Sequence, residues 1–248
     1  MTFHATISPA SIELCDLLAP GGVLRAGINL SNFLLVTSRT PEGAPVGVSP
    51  DMARAIADHL GASLRLVPYE SPGLLADAAA RDEWDIGLIG AEPQRAEVIS
   101  FTPSYVEIEA TYLVPEGSPL RSTDEVDAPG KRIAVTGRTA YGLWLDRNIA
   151  HATLVRSSTM DEALTDLVDQ RLDALAGLRP RLIADRARLP GSTLLPGRFM
   201  AVQQAVGTPK AKAEALGYLT GFIAAAKSSG FVAELIAKHG VQGLSVSG

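Results

Sequence analysis

Arg95 is the residue of this chain whose type and setting most clearly indicate a chemical role. A planar guanidinium can donate two parallel N–H bonds to one carboxylate, which makes a charge-assisted bidentate contact. Arg95 comes shortly after Pro93, and the pattern predicts the first turn of a helix, where free backbone N–H groups also favour an anion. The alternative interpretation is a solvated surface arginine, which is the usual fate of this residue type.

A second candidate for anion contact is the run Gly137-Arg138-Thr139, which follows one predicted strand and opens a predicted helix. Its backbone N–H groups and the Thr139 hydroxyl could donate to an anion. Thr139 could equally be a plain N-cap, and both roles can hold together. The run is too short for a phosphate-binding loop and lacks the Gly-Lys-Ser/Thr ending, so nucleotide binding is not indicated.

Other classes of site find no support in the residue types. The single cysteine, Cys15, is interpreted as a small apolar filler. No Ser-His-Asp or Cys-His arrangement is readable, and the histidines lie far apart without metal-ligand spacing. These histidines are His4, His59, His151 and His239. We therefore expect no metal site and no cofactor.

Charge and hydropathy exclude two classes of partner. The 248 residues carry 22 Lys and Arg against 27 Asp and Glu, a net charge of −5. No basic run could neutralise a phosphate backbone, so no nucleic acid is expected as a partner. No segment approaches the ~20 apolar residues that cross a bilayer, so the chain is not expected to span a membrane.

The first 22 residues carry no Lys or Arg before their apolar positions and include Glu13 and Asp16, which is not the pattern of a signal peptide. The segment instead predicts a short amphipathic helix with Ser8 as N-cap, Pro9 at its first position and Pro20 at its end. A cytoplasmic location is therefore expected, or a periplasmic one if the sequence is a processed or recloned mature domain.

Apolar patterns and caps predict an α/β protein with two successive strand–helix units. Strands are predicted at 23–28, 63–68, 84–89, 110–114, 131–135, 152–155 and 173–176. Helices are predicted at 49–60 with a stop at Gly61, from a Ser71 cap onward, at 139–148, at 159–169 after a Thr159–Glu162 capping box, at 180–188, and twice after 208. Residues 29–46 are predicted as a loop. This alternation favours mainly parallel sheets flanked by helices. Ligands of such sheets bind outside the carboxyl ends of the strands.

Residues 83–105, EWDIGLIGAEPQRAEVISFTPSY, resemble the bacterial extracellular solute-binding proteins of family 3. That family has an Asp-led strand, a Gly/Thr-rich turn, a Pro-x-Arg-Ala step and a Phe-Ser-x-Pro-Tyr ending. The matching residues are Asp85, Gly90, Pro93, Arg95, Ala96, Phe101, Thr102, Pro103 and Tyr105. Residues 47–52 and 130–135 resemble the family's Gly-x-x-x-Asp helix start and its second-lobe strand.

The resemblance implies a type II periplasmic-binding fold, which has two α/β lobes, each a mainly parallel sheet flanked by helices, and a ligand cleft between the lobes. Lobe 1 would comprise 1–104 and 203–248, and lobe 2 would comprise 105–202. The implied function is hinge closure around a small carboxylate-bearing molecule, an amino acid or an organic acid. The implied partner is an ABC transporter permease.

The resemblance also implies roles for individual residues. Arg95 would grip the ligand carboxylate beside Gly90. Gln203 and Gln204 fall near the second crossing between the lobes, and one of them is a candidate to face the cleft. The first strand–loop, where the family has polar contacts and an aromatic lid, contains Asn29, Ser31, Asn32 and Phe33.

Two departures from the family pattern concern the ligand's amino group. The family's Asp that takes an ammonium aligns with Leu178, and a leucine side chain cannot accept a hydrogen bond. The loop before Arg95 lacks two residues and a Thr, and it carries Glu92. Glu92 could supply the missing anion, pair with Arg95 or Arg138, or cap the helix start.

Other functions stay open beside transport. The chain could be a cytoplasmic ligand-binding or sensing protein, or a binder that has lost its ligand and serves in protein interactions. Some proteins of this fold, of the cyclohexadienyl dehydratase type, are lyases that eliminate water from a carboxylated ring with a general acid in a dry cleft. Glu92 is the candidate acid, but no paired acid/base constellation accompanies it, so an enzyme is the alternative hypothesis.

Overall fold

The structure is a computed structural model of the protein and describes residues 10–248. The predicted helix start at Ser8 and Pro9, and also His4, lie outside these described residues. Within them the first helix is Ile12–Leu18, and the Ser11 Oγ atom accepts a hydrogen bond from the Leu14 N–H group at 3.3 Å. Ser11 is therefore the N-cap of the described helix.

The described helices and strands alternate for most of the chain, which confirms the α/β prediction. The α-helices are α1 Ile12–Leu18, α2 Val48–Leu60, α3 Pro72–Ala78, α4 Ala140–Asn148, α5 Met160–Asp169, α6 Arg179–Arg186, α7 Leu216–Ser228 and α8 Phe231–Lys238. The strands are β1 Val23–Asn29, β2 Ser38–Arg39, β3 Pro45–Val46, β4 Ser63–Tyr69, β5 Ile86–Gly90, β6 Ile99–Phe101, β7 Val106–Val114, β8 Arg132–Thr136, β9 Thr153–Ser157, β10 Ala174–Leu178, β11 Thr193–Leu194, β12 Met200–Pro209 and β13 Ser245–Val246. Short 3-10 helices lie at Pro20–Gly22, Ala79–Arg81, Arg95–Glu97, Thr123–Glu125 and Lys210–Ala215.

The chain divides into two compact units. Unit 1 contains the described residues up to Glu107 together with Gln203–Gly248, and unit 2 is Ile108–Val202. In unit 1, β4 and β5 are both parallel neighbours of β1. The strand β12 runs antiparallel to β5, with Gln204 opposite Gly90.

Two apolar clusters hold the unit 1 sheet. In the first, α2 contributes Met52 and Ile56 at helical spacing, and they pack in one core with Phe222 of α7. In the second, the Trp84 side chain is fully buried, and its Nε1 atom donates to the Leu75 carbonyl at 3.0 Å. A Cβ atom at Gly87 would lie 3.1 Å from the Trp84 ring. The glycine therefore lets the indole pack directly on β5, the strand that ends at the Arg95 loop.

Unit 2 also contains a strand with a parallel neighbour on each side, as unit 1 does in β1. Its strands β10 and β9 are both parallel neighbours of β8, and β7 runs antiparallel to β10. The helix α5 begins with the predicted capping box, in which the Thr159 Oγ1 atom accepts from the Glu162 N–H group at 3.1 Å. Leu164 and Leu167 of this helix pack in the unit 2 core with Leu113.

Some element predictions were wrong at their ends. Residues 200–209 form the ten-residue strand β12, which extends past the predicted second crossing and includes 208 and 209, where the sequence had predicted the start of a helix. Its stretch Gln203-Gln204-Ala205-Val206 lacks the strict alternation that marks a half-buried strand. The predicted loop at 29–46 contains the β2–β3 pair.

Within the described part of the chain, no single helix is long and apolar enough to cross a membrane. The helices Lys210–Ser228 and Phe231–Lys238 reach that length and composition only together, as a pair bent by 69°.

Candidate functional site

Arg95 is buried in unit 1, with 4% of its surface exposed, so it is not a solvated surface arginine. Its Nη1 atom donates to the Gly90 carbonyl at 2.7 Å, and Gly90 is the last residue of β5. The predicted helix start is a single three-residue 3-10 turn, Arg95–Glu97, and the strand β6 follows it instead of a longer helix. A single short turn offers an anion no aligned helix dipole, so any anion contact here depends on the side chain.

The loop between Gly90 and Arg95 brings a second charged residue into the same place. Glu92 is 5% exposed, and its carbonyl accepts from the Ala96 N–H group at 2.9 Å. The Ala91 N–H group donates to the Gln203 carbonyl at 2.7 Å. Four predicted site residues, Gly90, Glu92, Arg95 and Gln203, are therefore neighbours in unit 1.

The Gln203 side chain is held at both ends by unit 1 residues. Its Oε1 atom accepts from the Ser104 Oγ atom at 2.7 Å, and its Nε2 atom donates to the Glu107 Oε2 atom at 3.0 Å. Both contacts were missed by sequence analysis. The signal for them was weak, since Ser104 and Glu107 are polar residues next to a predicted crossing.

Asn32 has a local structural role in unit 1. It is 6% exposed, and its Oδ1 atom accepts from the Leu34 N–H group at 3.3 Å. Its carbonyl accepts from the Val36 N–H group at 2.9 Å. The hydrogen bonds described for Asn32 thus lie within its own turn, as is typical of asparagine. Phe33 next to it is 39% exposed.

In unit 2, Thr139 is the N-cap of α4. Its Oγ1 atom accepts from the Gly142 N–H group at 3.0 Å and donates to the Thr136 carbonyl at 2.8 Å. The preceding residue, Arg138, is exposed and has a left-handed backbone with φ of 59°. The N-cap prediction for Thr139 is therefore confirmed, and its hydroxyl already donates and accepts within the protein. An anion contact at this loop stays a prediction.

Leu178 ends β10 in unit 2 and is 8% exposed. The next residue, Arg179, donates from Nε to the Glu109 Oε2 atom at 2.7 Å. The Arg198 Nη1 atom lies 3.6 Å from the Glu109 Oε1 atom. Glu109 precedes Ala110, which pairs with Leu178 across the sheet, and the Glu109 carboxylate is thus shared by two arginines, an arrangement that sequence analysis missed.

A metal centre receives no support from the part of the chain that the structure describes. Within residues 10–248, no group of three or more His, Cys, Asp and Glu side chains could hold a metal ion. The arrangement in unit 1 is instead suited to polar recognition, because a buried guanidinium and a buried carboxylate occur on one loop.

The chain is similar to a known protein family and to a characterised enzyme. The model of the family "Bacterial extracellular solute-binding proteins, family 3" matches residues 24–242. The cyclohexadienyl dehydratase of Pseudomonas aeruginosa is 26% identical over 206 residues, which cover 75% of each chain.

Solved structures resemble the chain over nearly its full length. A mutant of ArgBP from T. maritima has a TM-score of 0.72 and 21% identity, over 92% of this chain and 100% of that one. The ancestral amino acid-binding protein AncCDT-1, a precursor of cyclohexadienyl dehydratase, has a TM-score of 0.70 and 21% identity, over 91% and 98%. These matches confirm the predicted type II periplasmic-binding fold.

Proposed function

The chain belongs to the bacterial extracellular solute-binding proteins of family 3, and on this premise we propose that it binds a small carboxylate-bearing molecule through Arg95. The ligand would be an amino acid or an organic acid. Residues 1–104 with 203–248 and residues 105–202 would be the lobes that close around it. The family supports an extracellular or periplasmic location and a membrane transporter as partner, so the proposal departs from the cytoplasmic location expected from the N-terminus.

The observation that carries this proposal is the burial of Arg95. A charged side chain is rarely buried unless it has a partner or a function. The bond from its Nη1 atom to the Gly90 carbonyl holds the guanidinium plane, so less side-chain freedom is lost when a carboxylate binds.

The proposal that the ligand is an amino acid rests on proteins that share this fold. ArgBP and AncCDT-1, the ancestral amino acid-binding protein, share the fold. Leu178 argues in the other direction, because its apolar side chain stands where the family resemblance implies an ammonium acceptor. Glu92, buried on the Arg95 loop, is the residue we propose for that contact.

The test is a thermal-shift screen of amino acids and organic acids, since a ligand that binds the folded state raises Tm by mass action. Arg95→Lys keeps the charge but removes the fork of donors, so the Kd of any hit should rise about 10- to 100-fold. Arg54 of α2, which is exposed, provides the matched control Arg54→Lys. An unchanged Kd in Arg95→Lys would show that the carboxylate is held elsewhere.

A lyase is the second candidate function. It is favoured by the 26% identity to a cyclohexadienyl dehydratase and by Glu92, a buried carboxyl group on the Arg95 loop that would be the general acid. The assay is incubation with prephenate, a carboxylated cyclohexadienol, with Glu92→Gln as the comparison. Absence of product from the unmodified protein would count against the lyase and leave the binding proposal standing.

A further inference from the structure

Gln203 connects the two places where the chain passes between its units. The chain leaves unit 1 after Glu107 and returns to it at Gln203. The Gln203 Nε2 atom donates to the Glu107 Oε2 atom at 3.0 Å. One side-chain hydrogen bond therefore joins the two residues that stand at the ends of the unit 1 segments.

The rest of Gln203 is tied to two further unit 1 segments. Its Oε1 atom accepts from Ser104 Oγ at 2.7 Å, and its carbonyl accepts from the Ala91 N–H group at 2.7 Å. Ser104 is itself anchored, because its carbonyl accepts from the Lys227 Nζ atom at 3.3 Å and from the Ser247 hydroxyl. Gln203 thus links the outgoing connection, the returning strand β12 and the loop that leads to Arg95.

We infer that Gln203 is a positioning residue. It couples the backbone direction of the two connections between the units, after Glu107 and at Gln203, to the position of Arg95. A change in direction at Glu107 would be passed through the Gln203 amide to β12, and from its carbonyl to Ala91. This differs from the direct ligand contact predicted from the sequence. For its effect on affinity it rests on the proposed function, whereas the coupling itself does not.

Hydrogen-bond chemistry gives this link a direction. A carboxylate can only accept hydrogen bonds, so Glu107 requires the amide nitrogen. The Ser104 hydroxyl donates its single proton to the amide oxygen. The Gln203 amide therefore has one allowed orientation. If residue 203 were the acid and residue 107 the amide, the same three groups could satisfy one another again.

The experiment exchanges the two groups and follows hydrogen–deuterium exchange of the Ala91 amide without ligand. Gln203→Glu places two carboxylates in contact, so exchange at Ala91 should speed up at least about tenfold. The double variant Gln203→Glu with Glu107→Gln should return exchange close to the unmodified rate. Gln242→Glu, the same substitution at an exposed unit 1 site, should leave it unchanged.

Two results would overturn the inference. One is an Ala91 exchange rate that Gln203→Glu leaves unaltered. The other is a double variant as fast as Gln203→Glu, which would mean that the exchanged pair does not act as a unit. If Gln203→Glu does not fold, Gln203→Met, which keeps the length and removes both side-chain bonds, is measured in its place.

Affinity for any screening hit is the second readout. The exchanged pair should recover the Kd that Gln203→Glu weakens, which a merely structural loss of stability would not do. Because amide exchange is measured without ligand, a failed ligand screen would count against the proposed function and leave the test of Gln203 intact.

Discussion

The two units use the same aspartate contact in front of a central strand, but they bury it differently. Asp85 precedes β5 and accepts from the Arg25 N–H group at 2.8 Å. Asp173 precedes β10 and accepts from the Arg132 N–H group at 2.9 Å. The Asp85 side chain is fully buried, whereas that of Asp173 is 29% exposed. The two aspartates thus accept the same kind of backbone hydrogen bond, but their carboxylates are removed from water to very different extents.

The more deeply buried of the two aspartates has more charged partners. Asp85 is held by the Arg25 Nη2 atom at 2.7 Å and by the Lys212 ammonium. The hydrogen bond that Arg25 donates to Asp85 raises the pKa of Arg25 above its ordinary value. Asp173 has one ammonium partner, Lys131, at 2.8 Å. A fully desolvated carboxylate needs more partners than a partly exposed one. The Asp85 contact of unit 1 therefore depends more strongly on buried charge than the Asp173 contact of unit 2.

The largest expected effect tests this difference. Asp85→Ala should lower the free energy of unfolding by about 3–5 kcal/mol, because two cations lose a buried partner. Asp173→Ala should lower it by about 1 kcal/mol or less, because solvent screens its pair. Urea unfolding of the two variants measures both values. Equal losses of unfolding free energy in the two variants would show that the two aspartate contacts do not differ in their contribution to stability.

An intermediate effect is expected at the unit 2 loop. Thr139→Ala should destabilise the protein by about 1 kcal/mol, the usual effect of losing an N-cap. Thr139→Ser keeps the capping hydroxyl and is the control. If Thr139→Ala weakened ligand binding but left unfolding unchanged, the loop would have a recognition role that its hydrogen bonds do not indicate.

The smallest effect concerns pH. Hydrogen bonds from Arg188 and Arg181 lower the pKa of Asp161 below its ordinary value. Its contribution to stability is therefore present above the unfolded-state pKa and is lost as pH falls through the lower folded-state pKa. The Asp161 side chain is 68% exposed, so screening keeps the effect small. The free energies of unfolding of Asp161→Asn and of the unmodified protein should converge as pH is lowered. A difference that stays constant with pH would contradict this.

Local patterns predicted much of the fold because the relevant interactions are local. The Thr159 capping box, the Ser71 cap of α3 and the Gly61 end of α2 were all predicted and confirmed. Side-chain period and cap chemistry lie within a few residues of one another. The strand β12 was missed because its pairing with β5 joins residues more than a hundred positions apart.

The candidate site divides in the same way. Residue types made Arg95 a candidate carboxylate-binding group and predicted Thr139 as an N-cap and Leu178 as unable to accept a hydrogen bond, because each of these expectations follows from the side chain itself. The burial of Arg95 beside Gly90 and the two-ended contact of Gln203 were decided by the tertiary structure. The two Gln203 side-chain bonds join residues 99 and 96 positions apart, and the Gly90 end of the Arg95 loop pairs with β12. Only long-range contacts of the folded chain create that neighbourhood.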